Sequence, residues 1–117
     1  MGYDVFYFRR MLEAEAVDVL QADATRCLGI TGFMRVDALC DAHALPLSAH
    51  CAPSLHRHPA LAASRLWNIE WFHDHVRIEQ MLFDGAPSVH DGVINVDWSR
   101  PGLGIEFKRA DAERFRI

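Results

Sequence analysis

Apolar and polar positions fall in blocks along this chain. Three short stretches, Val17–Ala22, Leu45–Ala49 and the start of Leu66–Phe72, are apolar or branched enough for strands, and each reaches a polar residue at its end: Asp23, His50 and Glu70. Such short apolar runs suit strands buried on both faces, as in a parallel sheet. Between them the apolar period lengthens. From Gly29 to His43 the residues Ile30, Phe33, Met34, Val36, Leu39 and Cys40 recur at helical spacing, with Thr25 or Thr31 available as an amino-terminal cap. Pro46 disfavours helix at the residue before it and ends that element. A second helix is expected from Ser54-Leu55, after Pro53, through Ala60–Ala63, stopping near Ser64-Arg65. Upstream, residues 3–14 place Phe8, Met11 and Leu12 on one helical face, so an amphipathic helix precedes the first strand.

The chain therefore repeats strand, loop, helix, and its polar residues stand where each strand hands over to the next loop. In α/β barrels those loops build the active face, and side chains from the ends of different strands converge there. A complete barrel of this type takes about 250 residues, so 117 residues hold part of one. The expected fold class is α/β: a partial (β/α) barrel of about three strand-helix units, residues 1–75, followed by a hairpin and helix tail, residues 76–117. Turn signals crowd that tail at Asp84-Gly85-Ala86-Pro87, His90-Asp91-Gly92 and Arg100-Pro101-Gly102. Asp91-Gly92 predicts a hairpin into Val93–Val96, and a short helix is expected at Ala110–Phe115. Met81, Leu82, Phe83, Ile94, Trp98, Leu103, Ile105 and Phe107 need a surface to cover them, which three units do not fully supply.

Composition narrows the partners. A net charge of -4 and a pI near 5.9 give no basic footprint for nucleic acid or an anionic membrane. No run approaches the ~20 apolar residues of a membrane span, and no secretory signal opens the chain; a cytoplasmic location is the expectation. Cys27, Cys40 and Cys51 are odd in number and widely spaced. Buried small hydrophobes are their expected use, in preference to a disulfide framework or a zinc ribbon.

A strand-end histidine beside a strand-end aspartate is the arrangement of an oriented general base, because the carboxylate binds one imidazole nitrogen and leaves the other free. The same residues also fit a core histidine, His50, and a helix cap, Asp23. Glu70, set among Trp67, Trp71 and Phe72, either shares a proton and hydrogen-bonds an anionic substrate or points outward to Arg65 or Lys108. His56-Arg57-His58 and His73-Asp74-His75 raise a small histidine-rich metal binder as an alternative. Positions i and i+2 face apart on a helix, so a solvated loop is the expectation there. Gly29-Ile30-Thr31-Gly32 could hold an anion at a helix start, but it lacks a dinucleotide or P-loop pattern.

Taken together, the run Gln21-Ala22-Asp23-Ala24-Thr25-Arg26-Cys27-Leu28-Gly29-Ile30-Thr31-Gly32, then Pro46-Leu47-Ser48-Ala49-His50-Cys51, then Asn68-Ile69-Glu70, resembles the carboxyl-terminal barrel region of the enolase superfamily, mandelate racemase-like subgroup. Pro101-Gly102-Leu103-Gly104-Ile105 is similar to that family's closing segment. The resemblance implies an acid-sugar dehydratase or racemase acting on a small carboxylate, a sugar acid or 2-hydroxy acid. It implies that His50 takes the proton α to the carboxylate, that Asp23 orients His50, and that Glu70 hydrogen-bonds the substrate carboxylate, with Mg²⁺ stabilising the enediolate. The family's metal carboxylates lie on strands that this chain does not contain, and the tail would pack on an amino-terminal capping domain that is likewise absent. The isolated chain, a carboxyl-terminal fragment in this reading, is therefore expected to be inactive. A homo-oligomer, or a non-catalytic module pairing through open sheet edges, is the alternative. Leu28 stands where relatives carry a glycine, which matters if that position needs positive φ.

Overall fold

The computed structural model describes residues 4–117; Tyr3, where the first expected helix would begin, lies outside them. Helix α1 (Val5–Glu13) starts where the Asp4 carboxylate accepts the Tyr7 N–H at 2.8 Å, and it turns Phe8 and Leu12, four residues apart, into the interior. Strand β1 (Leu20–Ala22), helix α2 (Gly29–Ala42), strand β2 (Leu47–Ala49), helix α3 (Pro53–Ala62) and strand β3 (Leu66–Ile69) follow. The three strands pair in parallel in the order β1-β2-β3, each parallel pair joined through a helix, as parallel geometry demands. All three residues of the central strand β2 are buried.

The core lies between this sheet and the helices. Phe33, Val36 and Cys40 of α2 meet Leu20, Ala22, Leu47 and Ala49 of the strands and Phe8 and Leu12 of α1. Burying a side chain such as Phe33 or Leu47 completely stabilises the fold by roughly 1.5–3 kcal/mol each. Buried polar groups tie the loops down. Asp37 on α2 accepts the backbone N–H groups of Ser64 at 2.8 Å and Arg65 at 2.9 Å, which fixes the entry to β3.

Two findings revise the expected plan. A helix, α4 (His73–Leu82), follows β3 directly, so a fourth helix stands where a turn-rich tail was expected, and the division expected between residues 75 and 76 falls inside it. Its signal was weak because Val76 is its one buried residue and no side chain caps its start. Glu79 anchors it, accepting both the hydroxyl and the backbone N–H of Ser54 at the start of α3, at 2.6 and 3.2 Å. Secondly, His56 and Arg57 are buried on α3 and do not lie in a solvated loop. The Arg57 guanidinium reaches into the tail and donates to the carbonyls of Leu103 at 2.7 Å and Gly85 at 3.3 Å.

The rest of the tail is built from short pieces. Strand β4 (Phe83–Asp84) pairs antiparallel with β7 (Glu106–Phe107), and β5 (Val89–His90) with β6 (Val93–Ile94). Asp91 and Gly92 at the β5–β6 turn both have positive φ, the turn type that Asp-Gly favours in a hairpin. Helix α5 (Arg109–Ala112) and a 3₁₀ turn at Glu113–Phe115 close the chain where a short helix was expected. No helix among the described residues is long and apolar enough to cross a membrane.

Candidate functional site

Sheet register brings the three strand-end residues together. Ala22 of β1 pairs with Ala49 of β2, and Ala49 with Ile69 of β3, so the next residue on each strand is Asp23, His50 and Glu70. The ladder continues through them: the His50 N–H donates to the Ala22 carbonyl and the Glu70 N–H to the Ala49 carbonyl, both at 2.9 Å. His50 Nδ1 lies 3.0 Å from Asp23 Oδ2, and His50 Nε2 lies 3.8 Å from Glu70 Oε2. An ionised carboxylate only accepts, so the Asp23 contact puts a proton on Nδ1, and in the neutral ring Nε2 keeps its lone pair.

Asp23 is held more firmly than a surface carboxylate. Its Oδ1 accepts the Thr25 N–H and the Thr25 hydroxyl, each at 2.8 Å, and Arg26 Nε lies 3.4 Å from Oδ2. Burial pushes its carboxyl up, but the two Thr25 hydrogen bonds and the one to His50 outweigh that and hold it below the usual 3.8. Asp23 is therefore a fixed anion at neutral pH. His50 and Glu70 stay reachable from solvent, with side chains 28% and 37% exposed. A pocket of about 280 Å³ opens beside His50, lined by Tyr7, Phe8, Met11, Gln21, Asp23 and Arg26 as well.

Sequence reasoning missed two members of this constellation. Cys51 is buried, as expected of the cysteines, yet its thiol donates to Glu70 Oε2 at 3.1 Å and lies 3.7 Å from His50 Nε2. Burial, and then the Glu70 carboxylate as hydrogen-bond partner and as charge, push that thiol up to about 12, so it is protonated at neutral pH. His56 is fully buried behind the site. Its Nε2 accepts the Ala24 N–H at 2.9 Å and its Nδ1 donates to the Cys51 carbonyl at 2.8 Å, so one neutral ring stitches the loop after β1 to the turn after β2. With Nε2 committed as an acceptor, its 4.0 Å approach to Asp23 Oδ1 is not an ion pair. The adjacency of Cys51 to His50 was a readable signal. The inward face of His56 was not, because it depends on which side of the helix after Pro53 turns towards the strands.

The loops carry backbone strain. Leu28 holds φ +69°, so the position where a glycine was anticipated does adopt the left-handed conformation with a leucine in it. Cys51 and Ala52 are also left-handed, at φ +49° and +40°, in the turn between His50 and α3. Strain of this kind persists where surrounding structure enforces it, and functional sites are where it concentrates.

Residues 1–112 match the enolase C-terminal domain-like family. The chain belongs to that family. Among solved structures, a mandelate racemase/muconate lactonizing enzyme-like protein from Rubrobacter xylanophilus is 44% identical, with a TM-score of 0.90 over 97% of this chain and 31% of its own. L-Talarate dehydratase from Polaromonas, complexed with Mg and L-glucarate, is 30% identical with a TM-score of 0.79, over 95% of this chain and 30% of its own. A D-galactonate dehydratase family member from Oceanicola granulosus is 28% identical over 91% of this chain and 28% of its own length. This enolase-family chain thus spans under a third of the relatives it matches. Its mixed α/β architecture is consistent with the enolase carboxyl-terminal barrel region, and the relatives include lyases acting on sugar acids.

Proposed function

We propose that Asp23, His50 and Glu70 are the proton-transfer apparatus of an acid-sugar dehydratase or racemase built on a (β/α) barrel, of which the β1–β3 sheet and its helices form a part. In this reading the tail after α4 covers an adjoining domain. The observation that carries the reading is the His50 imidazole, bound by Asp23 at Nδ1, with Nε2 on the side of Glu70 and Cys51 and the residue lining a pocket. A base so held can take the proton α to a carboxylate, and its imidazolium can give a proton to a departing β-hydroxyl; racemisation needs a second proton donor on the opposite face of the enediolate, which these three residues do not supply. Asp23 fixes the ring and stabilises the imidazolium that forms. Glu70, next to the Cys51 thiol, is placed to hydrogen-bond the substrate carboxylate when it carries a proton, as charge builds on that carboxylate.

Magnesium is held by the talarate dehydratase relative, and the donors grouped here do not suit it. His50, Cys51 and Glu70 offer one nitrogen, one sulfur and one carboxylate oxygen, whereas Mg²⁺ demands near-octahedral oxygen coordination. We therefore propose that magnesium binds outside this constellation and that the 117-residue chain alone is inactive. Purified with MgCl₂ and a panel of sugar acids and mandelate in D₂O, the chain should show neither dehydration nor α-proton exchange by NMR; measured turnover overturns the inactivity. To test the base, residues 1–112 replace the matching segment of the talarate dehydratase. Exchange by that chimaera should fall about 10²-fold or more on His50→Asn. Equal rates with and without the imidazole would remove His50 from the mechanism.

A second reading rests on a different observation. Among the described residues, β1 and β3 each leave one sheet edge without a strand partner, and an unpaired edge is a template for another chain. A module pairing through those edges would be an obligate oligomer without catalysis. Light scattering after size exclusion separates the two, since a compact monomer rules the module out.

A further inference from the structure

We infer that His50 Nε2, Cys51 Sγ and Glu70 Oε2 form a binding site for a borderline-soft divalent cation of the zinc class. These atoms lie 3.7 Å (sulfur to nitrogen), 3.1 Å (sulfur to oxygen) and 3.8 Å (nitrogen to oxygen) apart, and all fall within 4.8 Å of one another. Zinc bonds of about 2.0 Å to nitrogen and oxygen and about 2.3 Å to sulfur, at tetrahedral angles, separate the ligand atoms by roughly 3.3–3.6 Å. The observed triangle needs shifts of only a few tenths of an ångström to fit. Three protein ligands with a water in the fourth place is the usual make-up of an open zinc site.

The surroundings support the assignment independently of the triangle. A zinc-ligating histidine characteristically binds a carboxylate through its other ring nitrogen, which fixes the ring's orientation. Asp23 does this to His50 Nδ1 at 3.0 Å and is itself pinned by Thr25. That contact holds the ring in place before an ion binds. Partial exposure of His50 and Glu70 gives the ion a path in, while Cys51 sits at the buried end. Sulfur and imidazole select a zinc-class ion over magnesium or calcium.

Binding exchanges one bond for another. The Cys51 S–H proton, now shared with Glu70 Oε2, leaves to solvent as the sulfur–metal bond forms, one proton per ion, and no electron is transferred. His50 Nε2 donates its lone pair to the ion, so an occupied site has no free base. Zinc and proton abstraction compete for the same nitrogen.

Cobalt(II) chloride, a spectroscopic substitute for zinc, tests this on the full 117-residue chain in a non-coordinating buffer. The expected result is a sulfur-to-cobalt charge-transfer band in the near ultraviolet that saturates at one equivalent and is displaced by zinc chloride. Cys51→Ser, shown by circular dichroism to be folded, should abolish the band. Glu70→Gln should keep the band and weaken cobalt binding about tenfold or more, since even outer groups around a metal are worth that much. Absence of the band in the wild-type chain overturns the site, as does its survival in folded Cys51→Ser. Should Cys51→Ser not fold, Glu70→Gln decides: unchanged affinity overturns the proposal, and weakened affinity with the band retained supports it. The readout is independent of the proton-transfer reading. A missing band leaves His50 a candidate base, and a failed exchange assay leaves the band untouched.

Discussion

His56 shows how a residue that touches no substrate can set the site's geometry. Both ring nitrogens are committed, one to the Ala24 N–H and one to the Cys51 carbonyl, and these two backbone groups flank Asp23 and His50. His56→Leu keeps the bulk and strands both groups away from water, which should cost about 2–6 kcal/mol at about 1–3 kcal/mol per unsatisfied group. Urea unfolding measures the loss, and a change below about 0.5 kcal/mol would mean that other contacts hold the loops. Asp23 yields a pH prediction. Its folded carboxyl titrates below the usual 3.8, facing Thr25 and Arg26 on its own loop and His50 and His56 from β2 and α3. A depressed carboxyl adds stability that is present above its unfolded value and lost as pH falls through the folded one. Asp23→Asn should therefore flatten the acid limb of the stability curve below about pH 4, read as the urea midpoint against pH. Leu28 is 74% exposed and left-handed, so Leu28→Gly sheds little burial. It relieves a penalty of about 1 kcal/mol, partly offset by glycine's greater freedom when unfolded. A gain of about 0.5 kcal/mol is the expected net result by the same measurement.

At the scale of elements, the sequence revealed what depends on period and turn chemistry and concealed what depends on tertiary partners. The apolar period of α2, the Asp91-Gly92 hairpin and the polar residues at the strand ends were all legible because local chemistry dictates them. Strand lengths were not: β1 covers Leu20–Ala22, shorter than the apolar run from Val17, because pairing with β2 begins only at Leu20. Helix α4 was illegible for the opposite reason, having a single buried residue and an anchor, Glu79 on Ser54, supplied by another helix. That anchor is testable. Glu79→Ala removes both hydrogen bonds to Ser54 and should speed amide exchange across residues 73–82 about five- to tenfold, the equivalent of about 1–1.5 kcal/mol of local opening. Exchange as slow as wild type would show that Val76 packing and the Lys108 bonds to the Gln80 and Leu82 carbonyls hold α4 without that anchor.

At the scale of the whole molecule, the packing is one-sided. The radius of gyration is 15.4 Å with extents of 47 × 34 × 24 Å, against about 13 Å for a compact chain of comparable length. The reason lies in what the elements leave uncovered. Trp67 on β3 is 68% exposed beside a strand edge with no partner among the described residues, and Trp98 and Phe107 in the tail are exposed too. Apolar side chains at an unpaired edge favour association over solvation. The purified chain should accordingly run as a dimer or larger species in light scattering at micromolar concentration. Trp67→Lys sets a charge at the β3 edge, the device natural proteins use to blunt such edges, and should shift the population towards monomer. Trp98→Lys, made in the tail, separates the two apolar surfaces: if it dissociates the oligomer and Trp67→Lys does not, association runs through the tail and the sheet edge is not the contact. A wild-type chain that is monomeric throughout would show that this exposed edge is tolerated in water, and the pairing module would fall with it.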